Sequence, residues 1–235
     1  MAERADKLQA SKRREPLSRR EIQEVALGLI DEDGLEALTI RRLGGALGVD
    51  PMALYRHFEN KEALLDGVTE LLWAEVERGS RDGSDWKDQL RSIAGSLREL
   101  AHAHPNAYSL VMIREVIPAA ALILSETKLK ALKEAGFEED LAAEAVRTLI
   151  SYGIGYGALE LSYLLSEDRG SAESASEAER LMLVMRMVPR DVPPRLAEVA
   201  RVICACDVDA QFDFGLEAVL AGLEVMLNRS PMNAD

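Results

Sequence analysis

The 235-residue sequence is poor in aromatic residues and cysteine, and it contains no long apolar run. Aromatic residues make up 5% of the chain, whereas its 48% hydrophobic share consists mostly of Leu, Ala, Val, Ile and Met at helical spacings. This composition favours an all-helical protein. Because no window of about eighteen uninterrupted apolar residues exists, no transmembrane helix is predicted. The charged N-terminus also lacks the apolar stretch of a signal peptide, so we expect a cytoplasmic protein with no membrane partner.

The two cysteines, Cys204 and Cys206, are separated by a single residue. A disulfide across so short a loop would be strained, and a metal site would need more thiolate or imidazole ligands than this neighbourhood offers. We interpret both as reduced structural thiols in a reducing compartment. The sequence therefore predicts no metal site and no cofactor.

Charge is distributed unevenly along the chain. The formal net charge of -13 argues at first sight against a nucleic-acid partner. Residues 1–61, however, carry 11 basic and 11 acidic side chains, which leaves 17 basic and 30 acidic side chains for the rest. Seven of the first twenty residues are basic and three are acidic. DNA could therefore meet only the N-terminal end, which begins with a predicted basic flexible arm over residues 1–17.

Capping residues mark a series of closely spaced helices near the N-terminus. Ser18 and Glu21 have the spacing of a capping box, and Gly34 would end the helix that follows. Thr39 can cap a second, very short helix that stops at Gly48. Asp50, followed by a proline at the first helical position, can cap a third helix, and Asn60 can cap a fourth.

The third helix has one apolar and one polar face. Leu54 and Phe58, four residues apart, would point inward, which leaves Met52, Tyr55 and Arg56 on the outward side. Two short helices joined by a turn that contains glycine, the second with a polar outward face, are typical of a helix-turn-helix. We therefore predict a helix-turn-helix over about residues 39–58.

Longer amphipathic segments follow the predicted helix-turn-helix. They include helices that stop before Pro105, run from Pro118 to Gly136, and extend over about residues 138–166. Residues 167–180 are predicted to form a mobile loop because they are acidic, small and almost without apolar side chains. A last helix over about residues 209–227 carries a heptad-like apolar seam, which consists of Phe212, Leu216, Val219, Leu223 and Met226. No strand pattern is present.

The run "LTIRRLGGALGVDPMALYRHFENKEALLDG", Leu38 to Gly67, resembles the DNA-binding domain of the TetR family of bacterial transcriptional repressors. The segment "FDFGLEAVLAGLEVML" is similar to the closing helix of the tetracycline-repressor-like C-terminal domain. The resemblance implies an all-α fold, with a three-helix DNA-binding domain over residues 18–64 and a ligand-binding and dimerisation domain over residues 65–235. It also implies a homodimer that binds a palindromic operator on double-stranded DNA and responds to a small-molecule ligand.

Eight residues are implied as DNA contacts by this resemblance. Those that would face bases are Arg41, Met52, Ala53 and Arg56, and those that would grip phosphates are Thr39, Tyr55, His57 and Lys61. Independently of the family, a guanidinium such as that of Arg56 suits bidentate contact with guanine, and a lysine at a helix start suits a phosphate. The alternative interpretation is ordinary surface charge, with Tyr55 half-buried and His57 in a capping contact. The basic side chains of the N-terminal region could lie in the adjacent minor groove or remain solvated, and they are Lys12, Arg13, Arg14, Arg19 and Arg20.

The C-terminal part offers candidate ligand contacts and a candidate dimer interface. The resemblance places the helices over about 138–166 and 209–227 in a four-helix bundle between subunits, and Gly153 and Gly157 suit close helix packing. Polar or adaptable residues in apolar surroundings could line a ligand pocket, although each alone is more often plain core. These residues are His102, Tyr108, Met112, Tyr152 and Tyr156. His102 and His104 are two residues apart and should point to different helix faces, so no shared metal is inferred.

The function that these patterns favour is a repressor that a small molecule releases from DNA. A dimeric regulator that answers to a protein partner, or to no ligand, is the alternative. A helical enzyme is a distant third possibility because no nucleophile elbow, phosphate loop or metalloenzyme spacing is present. We therefore predict that the protein is not an enzyme.

Overall fold

A computed structural model of the chain describes residues 17–80, 85–113, 117–164 and 207–229. These ranges contain α-helices and one short 3₁₀ turn, and no strand occurs within them, which confirms the predicted all-α fold. Numbered in chain order, the helices are α1 Arg19–Asp33, α2 Ile40–Leu47, α3 Pro51–Leu54, α4 Lys61–Gly79, α5 Trp86–Ala103, α6 Ser109–Ile113, α7 Ala119–Glu134, α8 Glu139–Leu164 and α9 Val208–Arg229. The predicted mobile loop, both cysteines and the first sixteen residues of the predicted arm lie outside the described ranges.

Helix α1 begins and ends where its capping residues predict. The Ser18 hydroxyl accepts a hydrogen bond from the Glu21 amide at 3.1 Å, and the Glu21 carboxylate accepts one from the Ser18 amide at 3.5 Å. This reciprocal pair satisfies two amides that the first turn leaves without helical partners. The helix ends at Gly34, where φ is +87°. The predicted capping box and glycine stop are confirmed.

The two short helices are also capped by their own side chains. Thr39 accepts from the Arg42 amide at 3.1 Å, and Asp50 accepts from the Met52 amide at 2.8 Å. Between them, Gly48 ends α2 in the left-handed conformation at φ +63°, which favours glycine because it has no Cβ. These contacts confirm the predicted turn.

Helix α3 is a single turn that ends at Leu54. It is shorter than the sequence suggests, because the outward residues Tyr55 and Arg56 lie beyond its end. Beyond Leu54 the chain continues as a turn, in which the His57 amide donates to the Leu54 carbonyl at 2.9 Å and the Arg56 amide donates to the Ala53 carbonyl at 3.3 Å. These three-residue spacings tighten the chain, as 3₁₀ turns do. They lead it to Asn60, whose side chain caps α4 by accepting from the Ala63 amide at 2.8 Å.

Helices α2 and α3 approach each other closely at Gly44. A Cβ placed on this buried glycine would lie 3.1 Å from the Val49 carbonyl oxygen and 3.3 Å from the Cα of Pro51. The neighbouring Gly45 is exposed, and a Cβ there would meet no atom within 4 Å. The close approach of the two helices therefore depends on the absence of a side chain at Gly44 and not at Gly45.

Helix α4 belongs to both parts of the structure. It packs against α1 of the N-terminal helices and against α5, α6 and α7 of the C-terminal helices. Its buried residues, which join one continuous core, are Leu64, Leu65, Val68, Leu72, Trp73 and Val76. The N-terminal helices, which we call the reading head (residues 18–60), are thus anchored on a helix that continues into the C-terminal core.

Helices α5 and α8 pack against each other through small residues. A Cβ on Gly153 would lie 2.9 Å from the Cβ of Leu97, and one on Gly157 would lie 2.9 Å from the Cβ of Ala101. The predicted close helix packing is therefore confirmed. It takes place within one chain, so these two glycines do not serve the approach of two subunits.

Helix α9 buries a different stripe from the heptad seam that its sequence suggests. Val219 is only partly buried and Met226 is 55% exposed, so within its own chain α9 buries three of the five members of the predicted seam, Phe212, Leu216 and Leu223. Spacings of mostly four residues follow the 3.6-residue period of a straight helix packed on its own chain, rather than the 3.5-residue period of a coiled coil. The buried residues are Phe212, Leu216, Leu220, Leu223 and Leu227.

A valine scan of the two adjacent glycines tests the close turn. Gly44→Val should lower the free energy of unfolding by on the order of 1–3 kcal/mol, because the added methyl groups would push against backbone that cannot rotate away. Gly45→Val should change it by less than about 0.5 kcal/mol. Urea unfolding followed by circular dichroism measures both, and equal stability of the two variants would contradict the close contact.

Candidate nucleic-acid interface

The outward side of the α3 turn is exposed, as the sequence predicts. Met52 is 69% exposed and Tyr55 is 46% exposed, and the Arg56 side chain also lies on the surface. On the opposite side, Leu54 and Phe58 are buried in the core. The burial of these two residues props the turn outward, which leaves a methionine, a tyrosine and an arginine for contact with another molecule.

The remaining predicted DNA contacts lie at the starts of neighbouring helices. Thr39 and Arg41 are exposed at the start of α2, and Lys61 is the first residue of α4 and partly exposed. Ala53 and His57 are also partly exposed, so none of the eight predicted residues is buried. The structure brings all eight into the reading head and the first turn of α4.

Neighbouring arginines of the head have internal partners. Arg42 forms an ion pair with Asp33 at the end of α1. The guanidinium of Arg19 lies 4.5 Å from the centroid of the Phe58 ring, and Arg20 pairs with Glu24 at 2.8 Å. Arg19 and Arg20 are therefore part of α1, in contrast to the minor-groove arm that is one alternative for these two residues.

The three predicted tyrosine contacts for a ligand hold helices together inside the C-terminal part. The buried Tyr108 hydroxyl donates to the carbonyl oxygens of Gly153 at 3.4 Å and Ile154 at 3.3 Å. Tyr152 donates to the Phe212 carbonyl at 2.7 Å, and Tyr156 donates to the Val208 carbonyl at 2.8 Å. Burial, together with the negative charge of Glu160, raises the pKa of Tyr108.

His102 joins a buried ion pair that sequence reasoning missed. Arg98 donates to both carboxylate oxygens of Glu160, at 2.9 and 2.6 Å, and also binds Asp209 at the start of α9. The Nε2 atom of His102 lies 3.0 Å from Glu160. Burial by itself would raise the pKa of Glu160, but the hydrogen bonds from Arg98 and His102 outweigh it and lower that pKa.

The signal for this ion pair in the sequence is a lone carboxylate. Glu160 is the single charged residue in the stretch "LISYGIGYGALELSYLL", which covers residues 149–165. A buried charge requires a partner, so its position alone could have prompted a search for one. The partner itself, Arg98, lies 62 residues away in the sequence.

Met112, the remaining predicted ligand contact, and His104 lie apart from this ion pair. Met112 is 48% exposed on α6. His104 contacts Asp31 of α1 and Glu75 of α4. His102 and His104 thus face different partners, as their spacing predicts.

Two further properties concern the described part of the chain only. No group of three or more His, Cys, Asp or Glu side chains within it is arranged to hold a metal ion. None of its helices combines the length and the apolar character that crossing a membrane requires.

Sequence families match both parts of the chain. Residues 22–68 match the family described as bacterial regulatory proteins, tetR family, and residues 79–227 match the tetracyclin repressor-like C-terminal domain. The tetracycline repressor protein class C of Escherichia coli is 31% identical over 215 residues, which cover 89% of this chain and 92% of that protein.

Solved structures agree with these matches. The Streptomyces coelicolor TetR family protein ActR, in complex with actinorhodin, superposes with a TM-score of 0.77 at 27% identity, over 92% of this chain and 100% of that chain. A TetR protein of Acinetobacter baumannii AYE, in complex with minocycline, superposes with a TM-score of 0.66 at 25% identity, over 90% and 98% of the two chains.

The family matches span the reading head and the C-terminal helices, and the helix-turn-helix has the exposed face that such regulators need. Members of this family are regulators and not enzymes. The chain belongs to the TetR family of DNA-binding transcriptional regulators.

Proposed function

We propose that the protein is a homodimeric repressor that binds a palindromic operator through its two reading heads and leaves it when a small molecule binds. The observation that carries this proposal is the exposed turn at Met52, Tyr55 and Arg56, backed by buried Leu54 and Phe58 in a family-matched head. A major groove about 12 Å wide admits an element of this size.

Side-chain chemistry divides the eight proposed DNA contacts of the reading head and the first turn of α4. Arg41 and Arg56 carry planar guanidinium groups that suit bidentate contact with guanine, whereas Met52 and Ala53 can offer only apolar contact, such as to a thymine methyl group. The remaining four, which we propose as phosphate contacts, have hydroxyl, imidazole or ammonium groups suited to that role. They are Thr39, Tyr55, His57 and Lys61.

The proposed dimer is supported by an uncovered apolar surface on α9. Phe214 is 77% exposed, Val225 is 48% exposed and Met226 is 55% exposed, although α9 already buries another stripe against its own chain. Large apolar side chains exposed on one helix are typical of an interface. A second copy that brings its own α8 and α9 would cover them in a four-helix bundle.

Ligand control is supported by related structures that contain small molecules and by the contact of α4 with α7. ActR and the A. baumannii protein were crystallised with small molecules bound. In this chain, Glu70 of α4 accepts a hydrogen bond at 3.1 Å from the Ala120 amide, in the first turn of α7. A ligand that moves α6 or α7 would therefore pull on the helix that carries the head, and different ligand affinities in two states would shift the population.

We keep all five predicted ligand contacts as proposals, with Met112 as the best placed. The hydroxyls of Tyr108, Tyr152 and Tyr156 are already engaged, whereas Met112 is 48% exposed on α6. His102 completes the set. Exposed apolar side chains of this region could instead serve a protein partner, which is the alternative mode of control. They are Met112, Ile113, Ile117, Leu122 and Ile123.

Two alanine variants test the proposed DNA contacts. On DNA flanking the protein's own gene, Arg56→Ala should cost on the order of 1–3 kcal/mol and relax the preference at one base position in each half-site. Lys61→Ala should weaken binding to all sequences alike and reduce the salt dependence, because it removes one phosphate contact per subunit. Gel shifts at several salt concentrations measure both effects. Lys130→Ala, an exposed lysine on α7, is the control, and wild-type behaviour of all three variants would refute the assignment.

A charge on α9 tests the dimer. Phe214→Glu should produce monomers in analytical ultracentrifugation and abolish tight operator binding, because a carboxylate cannot be buried against a second apolar helix without a partner. Thr127→Glu introduces the same charge at an exposed position of α7 and should leave a dimer. A dimeric Phe214→Glu variant would place the interface elsewhere.

Release from the operator tests ligand control. We expect at least one small molecule in a broad panel, with minocycline and actinorhodin included, to lower the fluorescence anisotropy of the labelled operator complex. Met112→Ala should raise the required concentration roughly tenfold, since it removes ~1.4 kcal/mol of apolar contact, and should leave operator affinity intact. Failure of every compound would favour control by a protein partner or no ligand at all.

A further inference from the structure

His104 lies where the reading head meets the C-terminal helices. It follows α5 directly, and its side chain is 16% exposed. Its Nδ1 atom lies 2.8 Å from a carboxylate oxygen of Asp31 in α1, and its Nε2 atom lies 3.1 Å from a carboxylate oxygen of Glu75 in α4. The ring thus joins the end of α5 to α1 and α4. We call His104, Asp31, Glu75 and Asn106 the junction.

The geometry of the junction selects the protonated ring. A neutral imidazole carries one N–H group, and an ionised carboxylate can only accept hydrogen bonds. Both ring nitrogens face carboxylates, so both contacts are satisfied at once only when His104 is an imidazolium. Burial alone would lower the pKa of His104, but the hydrogen bonds and charges of Asp31 and Glu75 outweigh it and raise that pKa above its usual value.

The end of α1 needs such a partner. Asp31 lies in the last turn of α1, where the helix dipole is negative and a carboxylate is unfavourable. One of its oxygens, Oδ1, is buried and has no hydrogen-bond partner among the described residues. Asn106 donates from its side chain to the Asp31 carbonyl at 2.9 Å, which satisfies a backbone acceptor of that last turn. Residues 104 and 106 together thus hold the end of α1.

We infer that His104 is a positioning residue for operator binding, which fixes the orientation of the reading head by tying the end of α1 to α4 and to the end of α5. A head held in one orientation loses less conformational freedom when it enters the major groove. The inference needs only the DNA binding of the family, and it does not depend on a ligand.

Operator affinity should then depend on pH through the junction. The charged groups that contact the ring are Asp31 from α1 and Glu75 from α4. Glu75 also lines a surface groove of about 540 Å³ together with Arg78 and Glu99, so solvent reaches this side of the junction. The pKa of His104 is raised where the junction is formed. The contribution of His104 to holding the reading head is therefore complete below the usual histidine pKa, and it is lost as the pH rises through the raised value.

The test compares operator affinity of the wild type with two charge-removing variants over pH. His104→Gln should bind roughly five- to tenfold more weakly than the wild type at about pH 6, and the two affinities should converge as the pH rises through the raised pKa of His104. Glu75→Gln should weaken binding in the same pH-dependent way. Glu99→Gln removes an equal charge from the same groove without touching His104, and it should follow the wild type. His57 and His102 are unchanged in every variant, so the affinity ratios compare the junction alone.

A second measurement does not require the His104→Gln variant to fold. The chain has three histidines, so nuclear magnetic resonance can follow the titration of each ring in the wild type and in Asp31→Asn. One ring should titrate above the usual histidine pKa, and Asp31→Asn should lower that value. A constant affinity ratio across pH, wild-type affinity of His104→Gln at about pH 6, or three rings with ordinary pKa values would each overturn the inference.

Discussion

The shared packing of α4 is the constraint on which the rest of the structure depends. Near its start, Gly67 lies against the Gln23 side chain of α1, which a Cβ at this position would have to displace. One turn later Glu70 holds the start of α7, and at its end the Ser80 hydroxyl lies 3.0 Å from that of Ser92 in α5. A helix held on three sides moves as a rigid element, so a displacement at its C-terminal end also displaces the reading head.

This continuity also affects how the chain can be divided. The predicted boundary between residues 64 and 65 falls inside α4, and the two family matches end and begin at residues 68 and 79, also within that helix. Amphipathic periodicity shows where α4 lies in the sequence, but it does not show that one helix serves two cores. The core is continuous through α4, and a cut there would expose Leu72 and Val76, which are buried.

The head was more predictable from the sequence than the C-terminal contacts, and the reason is the separation of the interacting residues. Caps at Thr39, Asp50 and Asn60 act within three residues, so their chemistry can be read locally. The Arg98–Glu160 ion pair and the His104–Asp31 contact join residues 62 and 73 positions apart, and no local pattern pairs them. On α9, Leu216 and Leu223 of the predicted seam are buried and Met226 is exposed, because a single helix sequence does not reveal which stripe faces its own chain and which faces another.

The residues that hold the α3 turn in place are different from the residues that it exposes, and this affects how the regulator could diverge. The turn is maintained by the Asp50 cap, the room left at Gly44 and the burial of Leu54 and Phe58, none of which involves the exposed side chains. Met52, Ala53 and Arg56 can therefore change with little effect on folding. New target sites can arise by drift at these three positions while the scaffold stays the same, which allows duplicated copies to acquire distinct regulons.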